Sequence, residues 1–396
     1  MGTSSPIVAT GAVFPPSFVF GGATAATQIE GGCTTSDWYE FSRRPGAIQN
    51  GDTPDVACGS WERWQEDVEL QRSLGLGAYR MSIEWARIEP KPGQIDNGAL
   101  VRYHRMLRSL RSAGIEPMVT LHHFTLPHWL AAQGGVLAPE FAEALASFAR
   151  TAVTVLGDTC RLWITINEPS VLVSQGYLRG VWPPGKRGRA DLALRAHRRL
   201  LGAHDMAYCA IKAVQPDAKV GLAHHLRPVS GPWPYAPVRQ RLNDAFATEA
   251  CRHGAQDFFG INYYSRDVVG GYAAPDAKRS DLGWEIYPEG LGQLVRKWAV
   301  RSQLPIYITE NGLADAADSR RAQFIVDHLR QLASAIADGI DVRGYFHWSL
   351  LDNFEWAEGY GPRFGLVAMN YETGKRTARP SAAVYAHIAR ERRVDL

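Results

Sequence analysis

Ile306-Tyr307-Ile308-Thr309-Glu310-Asn311-Gly312 reads as four strand-forming residues, a glutamate and a turn. Leu162-Trp163-Ile164-Thr165-Ile166-Asn167-Glu168-Pro169 repeats that plan: β-branched and aromatic residues, an amide, a glutamate, then a chain breaker. Working outward, further strand-like runs lie at Phe18 to Gly21, Ala78 to Ile83, Glu116 to Leu121, Lys219 to Ala223, Phe258 to Asn262 and Val342 to Phe346. Segments of helical period separate them. Leu100, Tyr103, Leu107 and Leu110 share one helix face closed by Gly114, and Ile325, Leu329, Leu332 and Ile336 share another closed by Gly339. Eight strands alternating with helices predict an α/β fold, a single (β/α)8 TIM barrel over residues 1–396, with 1–13 as a loosely ordered N-terminal segment.

A barrel of this kind places its chemistry where the strands end and in the loops that follow them. The residues just past each predicted strand are Gln28, Arg80 and Glu84, His122 and His123, Asn167 and Glu168, then His224 and His225. The remaining strands end at Asn262, Tyr263 and Tyr264, at Glu310 and Asn311, and at Trp348. Carboxylates, amides, phenols, imidazoles and an indole on one rim suit a neutral, polyhydroxylated ligand. A phosphate site would ask for a glycine-rich loop with a lysine, which no glycine pair here supplies. Cleaving a glycosidic bond needs one carboxyl to protonate the leaving oxygen and a second to attack or to activate water, and Glu168 and Glu310 meet that requirement. The same segments also read as turns, since Asn-Gly and Glu-Pro end strands in many proteins.

The 43 basic and 40 acidic residues nearly cancel, so the overall charge points neither to nucleic acid nor to an anionic membrane. The run Lys186, Arg187 and Arg189 reads as a solvated loop. Five cysteines (Cys33, Cys58, Cys160, Cys209, Cys251) without paired spacing suit free thiols in a reducing compartment, and no zinc pattern joins Cys33 to Cys58. Neither a signal peptide nor a membrane-length apolar run occurs, so a soluble, cytoplasmic protein is expected. Of the 12 tryptophans, Trp129, Trp182, Trp233 and Trp284 fall in loops, where indoles either stack on sugars or lid the barrel. The histidines at 122, 123, 128, 224 and 225 lack the helical spacing of a zinc hydrolase, so neither a metal nor a cofactor is expected. His197 and His204, seven apart on one helix, read as packing residues.

Taken together, five segments resemble family 1 of the glycoside hydrolases, the β-glucosidase and β-galactosidase group. They are Phe18 to Gly31, Tyr79-Arg80-Met81-Ser82-Ile83-Glu84-Trp85, the two glutamate motifs, and Trp348-Ser349-Leu350-Leu351-Asp352-Asn353-Phe354-Glu355-Trp356. The resemblance implies a retaining β-glycosidase acting on terminal β-D-glucosides, and also on β-D-fucosides and β-D-galactosides. Glu168 would be the acid/base and Glu310 the nucleophile, with Arg80 and Tyr264 supporting the latter. Gln28, His123, Phe124, Asn167, Asn262, Trp348, Glu355 and Trp356 would bind the sugar, whose source is a small-molecule or oligosaccharide β-glycoside. An intact Glu355 implies a preference for unphosphorylated sugars. Two departures stand out. Phe124 occupies a position where the family commonly has Trp, and the stretches Val229 to Gln256 and Asp267 to Gly283 are short, which implies an open leaving-group side. The alternatives are a sugar-binding barrel impaired by those short loops and an enzyme that mainly transglycosylates.

Overall fold

The computed structural model describes residues 12–270 and 276–394. Its eight central strands are β1 (Val19–Ala23), β2 (Ala78–Ser82), β3 (Glu116–His122), β4 (Leu162–Asn167), β5 (Lys219–His225), β6 (Phe258–Tyr263), β7 (Ile306–Asn311) and β8 (Val342–Trp348). They form one closed barrel in chain order, with β8 pairing back to β1, and every pairing is parallel. The long helices alternate with them: α1 (Ser60–Ser73), α2 (Asn97–Ser112), α3 (Phe141–Leu156), α4 (Ala190–Val214), α5 (Tyr235–His253), α6 (Pro288–Ser302), α7 (Arg321–Ala337) and α8 (Pro380–Glu391). The fold expected from the sequence is the fold observed.

Local chemistry explains each joint. Helix α2 begins where the Asp96 carboxylate accepts the Ala99 N–H at 3.0 Å, and it buries Leu100, Tyr103, Met106, Leu107 and Leu110 against the barrel. Gly114, at φ 75°, then turns the chain left-handed. Inside the barrel, Phe346 fills the space opposite Gly21, where an added Cβ would lie 2.7 Å from the ring. Phe258 does the same opposite Gly221, again at 2.7 Å. The two phenyl rings plug a barrel that side chains must fill, and glycine on the facing strand is what admits them.

Seven of the strands run one or two residues further at their C-terminal ends than the apolar pattern predicts, while β2 ends at Ser82, one residue earlier. Asn167, His225, Tyr263, Asn311 and Trp348 belong to the ladder itself. Polar residues interrupt an apolar run in the sequence, yet pairing with a neighbouring strand continues past them. Residues 1–11 of the expected N-terminal segment lie outside the described residues, whereas Ala12–Val13 pairs antiparallel with Arg393–Val394. No helix among the described residues is long and apolar enough to cross a membrane.

Candidate active site

Both glutamates sit at irregularities in the barrel. The register between β4 and β5 shifts between Ile164 and Asn167, just before Glu168, and that between β6 and β7 shifts between Ile308 and Glu310. Such bulges re-aim side chains at barrel rims. Glu168 itself adopts φ 42°, ψ 59°, left-handed for a residue with a Cβ and sitting directly before a proline. That conformation is costly, so the surrounding contacts must hold it.

Arg80, fully buried on β2, is the hub. Its guanidinium pairs with Glu310 Oε1, donates to the Thr309 carbonyl at 3.0 Å, and donates to Asn167 Oδ1 at 2.6 Å. Tyr264 donates its hydroxyl to Glu310 Oε2 at 2.5 Å. Each oxygen of Glu310 therefore has its own donor. Burial pushes the Glu310 carboxyl up to about 7, opposed by Arg80 and reinforced by the charge of Glu168. The two carboxyls titrate as a pair. A proton on Glu168 removes that repulsion and leaves Arg80 and Tyr264 to oppose burial.

Around Glu168 the contacts are different. Burial works to raise its carboxyl, but a charged His225 imidazole, 3.1 Å from Oε1, and the Asn262 amide, which donates to the same oxygen at 2.8 Å, outweigh it and hold the carboxyl below its ordinary value. Asn262, expected to bind sugar, has its side chain committed to protein. Its Nδ2 also donates to Asn167 Oδ1 at 3.1 Å, and its Oδ1 accepts the Thr309 hydroxyl at 2.6 Å.

The other expected sugar ligands gather beside this pair. Gln28 donates to Asn353 Oδ1 at 2.8 Å and to the Phe354 carbonyl at 2.9 Å, which leaves its Oε1 with no protein partner among the described residues. The ring of His123 lies parallel to those of Trp348 and Trp356, at 6.0 and 6.1 Å, and His123 Nε2 meets the Asn167 amide at 3.2 Å. Trp348 donates its indole N–H to Glu355 Oε1 at 3.3 Å. Burial raises the Glu355 carboxyl to about 8, with the Trp348 donor opposing it. Phe124 completes an apolar wall with Trp182 and Trp356, at ring separations of 4.8 and 5.4 Å.

Some rim residues serve structure instead. Glu84 accepts from Thr27 at 2.5 Å and from Thr125 at 3.0 Å, stapling the loops after β1, β2 and β3. His197 contacts Glu249 at 3.0 Å and His204 contacts Thr165 at 2.7 Å. Among the described residues no three His, Cys, Asp or Glu side chains converge as metal ligands. The tryptophans expected in loops divide: Trp182 and Trp284 reach the pocket wall through Phe124 and Tyr264, Trp129 sits instead in a short helix, His128–Ala132, and bonds the Glu89 carbonyl, and Trp233 is 83% exposed. Lys186, Arg187 and Arg189 are exposed, as a solvated loop should be. Sequence reasoning missed Arg227, which donates to His225 Nε2 at 2.8 Å, and Asp267, which receives Arg227 at 3.2 Å. Their only signal was proximity to a strand end.

A sequence profile described as glycosyl hydrolase family 1 matches residues 10–259 and 238–394. Beta-glucosidase A of Thermotoga maritima is 35% identical over 436 aligned residues, covering 95% of this chain and 98% of the relative. A beta-galactosidase of Pyrococcus woesei is 31% identical, covering 95% and 97%. The structure of the Thermotoga maritima beta-glucosidase in complex with deoxynojirimycin superposes with a TM-score of 0.90 at 34% identity, covering 97% of this chain and all of the other. The 436 aligned positions exceed the 396 residues of the chain, so the Thermotoga relative carries segments that are missing here.

Proposed function

From the premise that this chain belongs to glycosyl hydrolase family 1, we propose that Glu310 is the nucleophile and Glu168 the general acid and base of its reaction. The chain is a β-glucosidase, a retaining hydrolase of β-glucosides. The observation that carries the assignment of roles is the asymmetry of the two carboxyls. Glu310 is held by a guanidinium and a phenol, one on each oxygen, which favours the charged form that attacks. Glu168 has no guanidinium on it: its Oε1 meets the His225 ring at 3.1 Å and the Asn262 amide at 2.8 Å, so it keeps its proton only while that ring is neutral.

In the first step the Glu310 carboxylate bonds to the anomeric carbon, the bond to the leaving oxygen breaks, and Glu168 gives that oxygen its proton. In the second, Glu168 takes a proton from water as the water displaces Glu310. Asn167 is positioned to meet the 2-hydroxyl, and Gln28, His123, Glu355 and Trp356 the other hydroxyls, over the face of Trp348. β-D-Fucosides and β-D-galactosides belong to the same substrate range, because a hydroxyl lost or inverted at the edge of the ring leaves the reacting centre untouched. All five cysteines are free thiols, which supports a cytoplasmic location. Proton NMR of nitrophenyl β-D-glucoside hydrolysis tests the assignment: the β-anomer of glucose forms first, and early α-anomer would overturn it.

A further inference from the structure

Hydrogen bonds around Glu168 have directions that two arginines dictate. A guanidinium only donates. Arg80 donates to the Asn167 side chain, so the atom it meets is the carbonyl oxygen, Oδ1. The Asn262 atom facing that same oxygen must then be its NH2, and this group also reaches Glu168 Oε1 at 2.8 Å. On the other side Arg227 donates its Nε–H to His225 Nε2 at 2.8 Å, so Nε2 carries no hydrogen. The remaining ring nitrogen, Nδ1, bears the hydrogen and donates it to Glu168 Oε1 at 3.1 Å.

We propose that these two donor chains, Arg80–Asn167–Asn262 and Arg227–His225, converge on Oε1 of Glu168 and confine the acid's proton to Oε2, with His225 a positioning residue and Arg227 setting its tautomer. The proposal rests on Glu168 being the acid/base. With Oε1 occupied by two N–H groups, a hydrogen on that oxygen would clash with both. The proton leaves Oε2 for the glycosidic oxygen in the first step and returns to Oε2 from water in the second. An imidazolium at 225 would hold the Glu168 carboxyl below its ordinary range and strip it of the proton it must give, and the Arg227 N–H excludes that form. Arg227 is itself held by Asp267, which Arg239 also contacts at 3.2 Å. Asp267 stands on the short parallel ribbon that pairs Val229–Ser230 with Asp267–Val268. The short stretches on the leaving-group side thus carry a piece that orients the acid.

Other groups bearing on this titration are Arg80, Glu310 and Tyr264, whose ring stacks 6.1 Å from His225, with Glu355 beyond them. They are common to every variant below. Nitrogen-15 NMR of the histidine-labelled enzyme, with the His225 signal identified by its loss in His225→Asn, should show Nδ1 protonated and Nε2 bare across the neutral range. A doubly protonated ring, or hydrogen on Nε2, would overturn the proposal without any variant having to fold. In kinetics, His225→Ala should lose roughly 10-fold in kcat/KM on poor leaving groups, with little loss on activated phenols. Removing a donor to the carboxylate raises its affinity for the proton, so the basic limb should move to higher pH. His225→Asn, which retains an N–H, should recover most of both effects. Arg227→Met frees Nε2 to accept a proton, and the resulting cation should move the basic limb to lower pH by about one unit. Shifts in the same direction, or none, would sink the proposal. Glu168→Gln separates the two layers: a basic limb that survives in it removes Glu168 from the acid role, while the NMR result on His225 still stands or falls by itself.

Discussion

The half of the pocket around Trp348 and the half around His225 are built on different principles. In the first, Gln28, His123, Asn167, Trp348 and Trp356 are all buried, and their contacts come from strands and loops throughout the barrel. In the second, His225 and Arg227 are only partly buried, the supporting ribbon pairs two residues with two, and Trp233 and Tyr235 nearby in sequence are 83% and 68% exposed. Buried polar groups discriminate strongly, because a wrong ligand leaves them unpaired. An open rim discriminates little. The molecule is therefore expected to discriminate more sharply among sugars than among the groups the sugar is attached to.

The largest effect tests what both halves share. Glu310→Ala should reduce turnover on every substrate by on the order of 10⁵-fold or more, whatever the leaving group, as measured with a series of aryl glucosides. Glu168→Ala should lose roughly 10²- to 10⁴-fold on poor leaving groups and far less on activated ones, and azide should restore turnover with a β-glycosyl azide as product. Equal losses across the series would erase the distinction between the two carboxyls. In the sugar half, above pH 8 the ionised Glu355 opposes a phosphate on the 6-position, so there the parent should prefer the plain glucoside over its 6-phosphate by on the order of 10²-fold in kcat/KM, and Glu355→Ser should narrow the gap. A parent that cleaves both equally well would show that this half is not strict.

The smallest effect is on stability. Burial raises Glu355 to about 8, so between the ordinary carboxylate range and pH 8 the folded protein keeps a proton that the unfolded chain has lost. Stability must fall as pH rises through that window. Glu355→Gln should flatten the decline by about 2–4 °C in Tm across it. Some slope should persist, because burial also raises Glu30 to about 7 and Asp37 to about 8. An unchanged slope in thermal scans would mean that water reaches Glu355 more freely than its surroundings imply.

The barrel was legible because eight apolar runs alternate with helix-period segments, and the two glutamates were legible because each directly follows such a run. Less could be read where polar residues continue a strand. His225 is the last residue of β5, yet the sequence shows it only as one of several rim histidines, since nothing local shows that Arg227 occupies its other nitrogen. Arg227 and Asp267 are 40 residues apart and meet only through the short ribbon, too brief for any periodicity. Asn262 was correctly placed on the rim, but the direction of its amide depends on Arg80 and Asn167, from two other strands.

The antiparallel pairing of Ala12–Val13 with Arg393–Val394 has a mechanical consequence. Both ends of the described chain leave the barrel side by side, with the Phe14 N–H bonded to the Arg392 carbonyl at 2.8 Å just behind the pair. A force pulling the two ends apart would load these few bonds one after another, as a zipper opens, before any of it reached the seam between β8 and β1. A short covalent tether between the ends would carry that load instead, and would close the chain into a ring that could be cut open at a surface loop elsewhere.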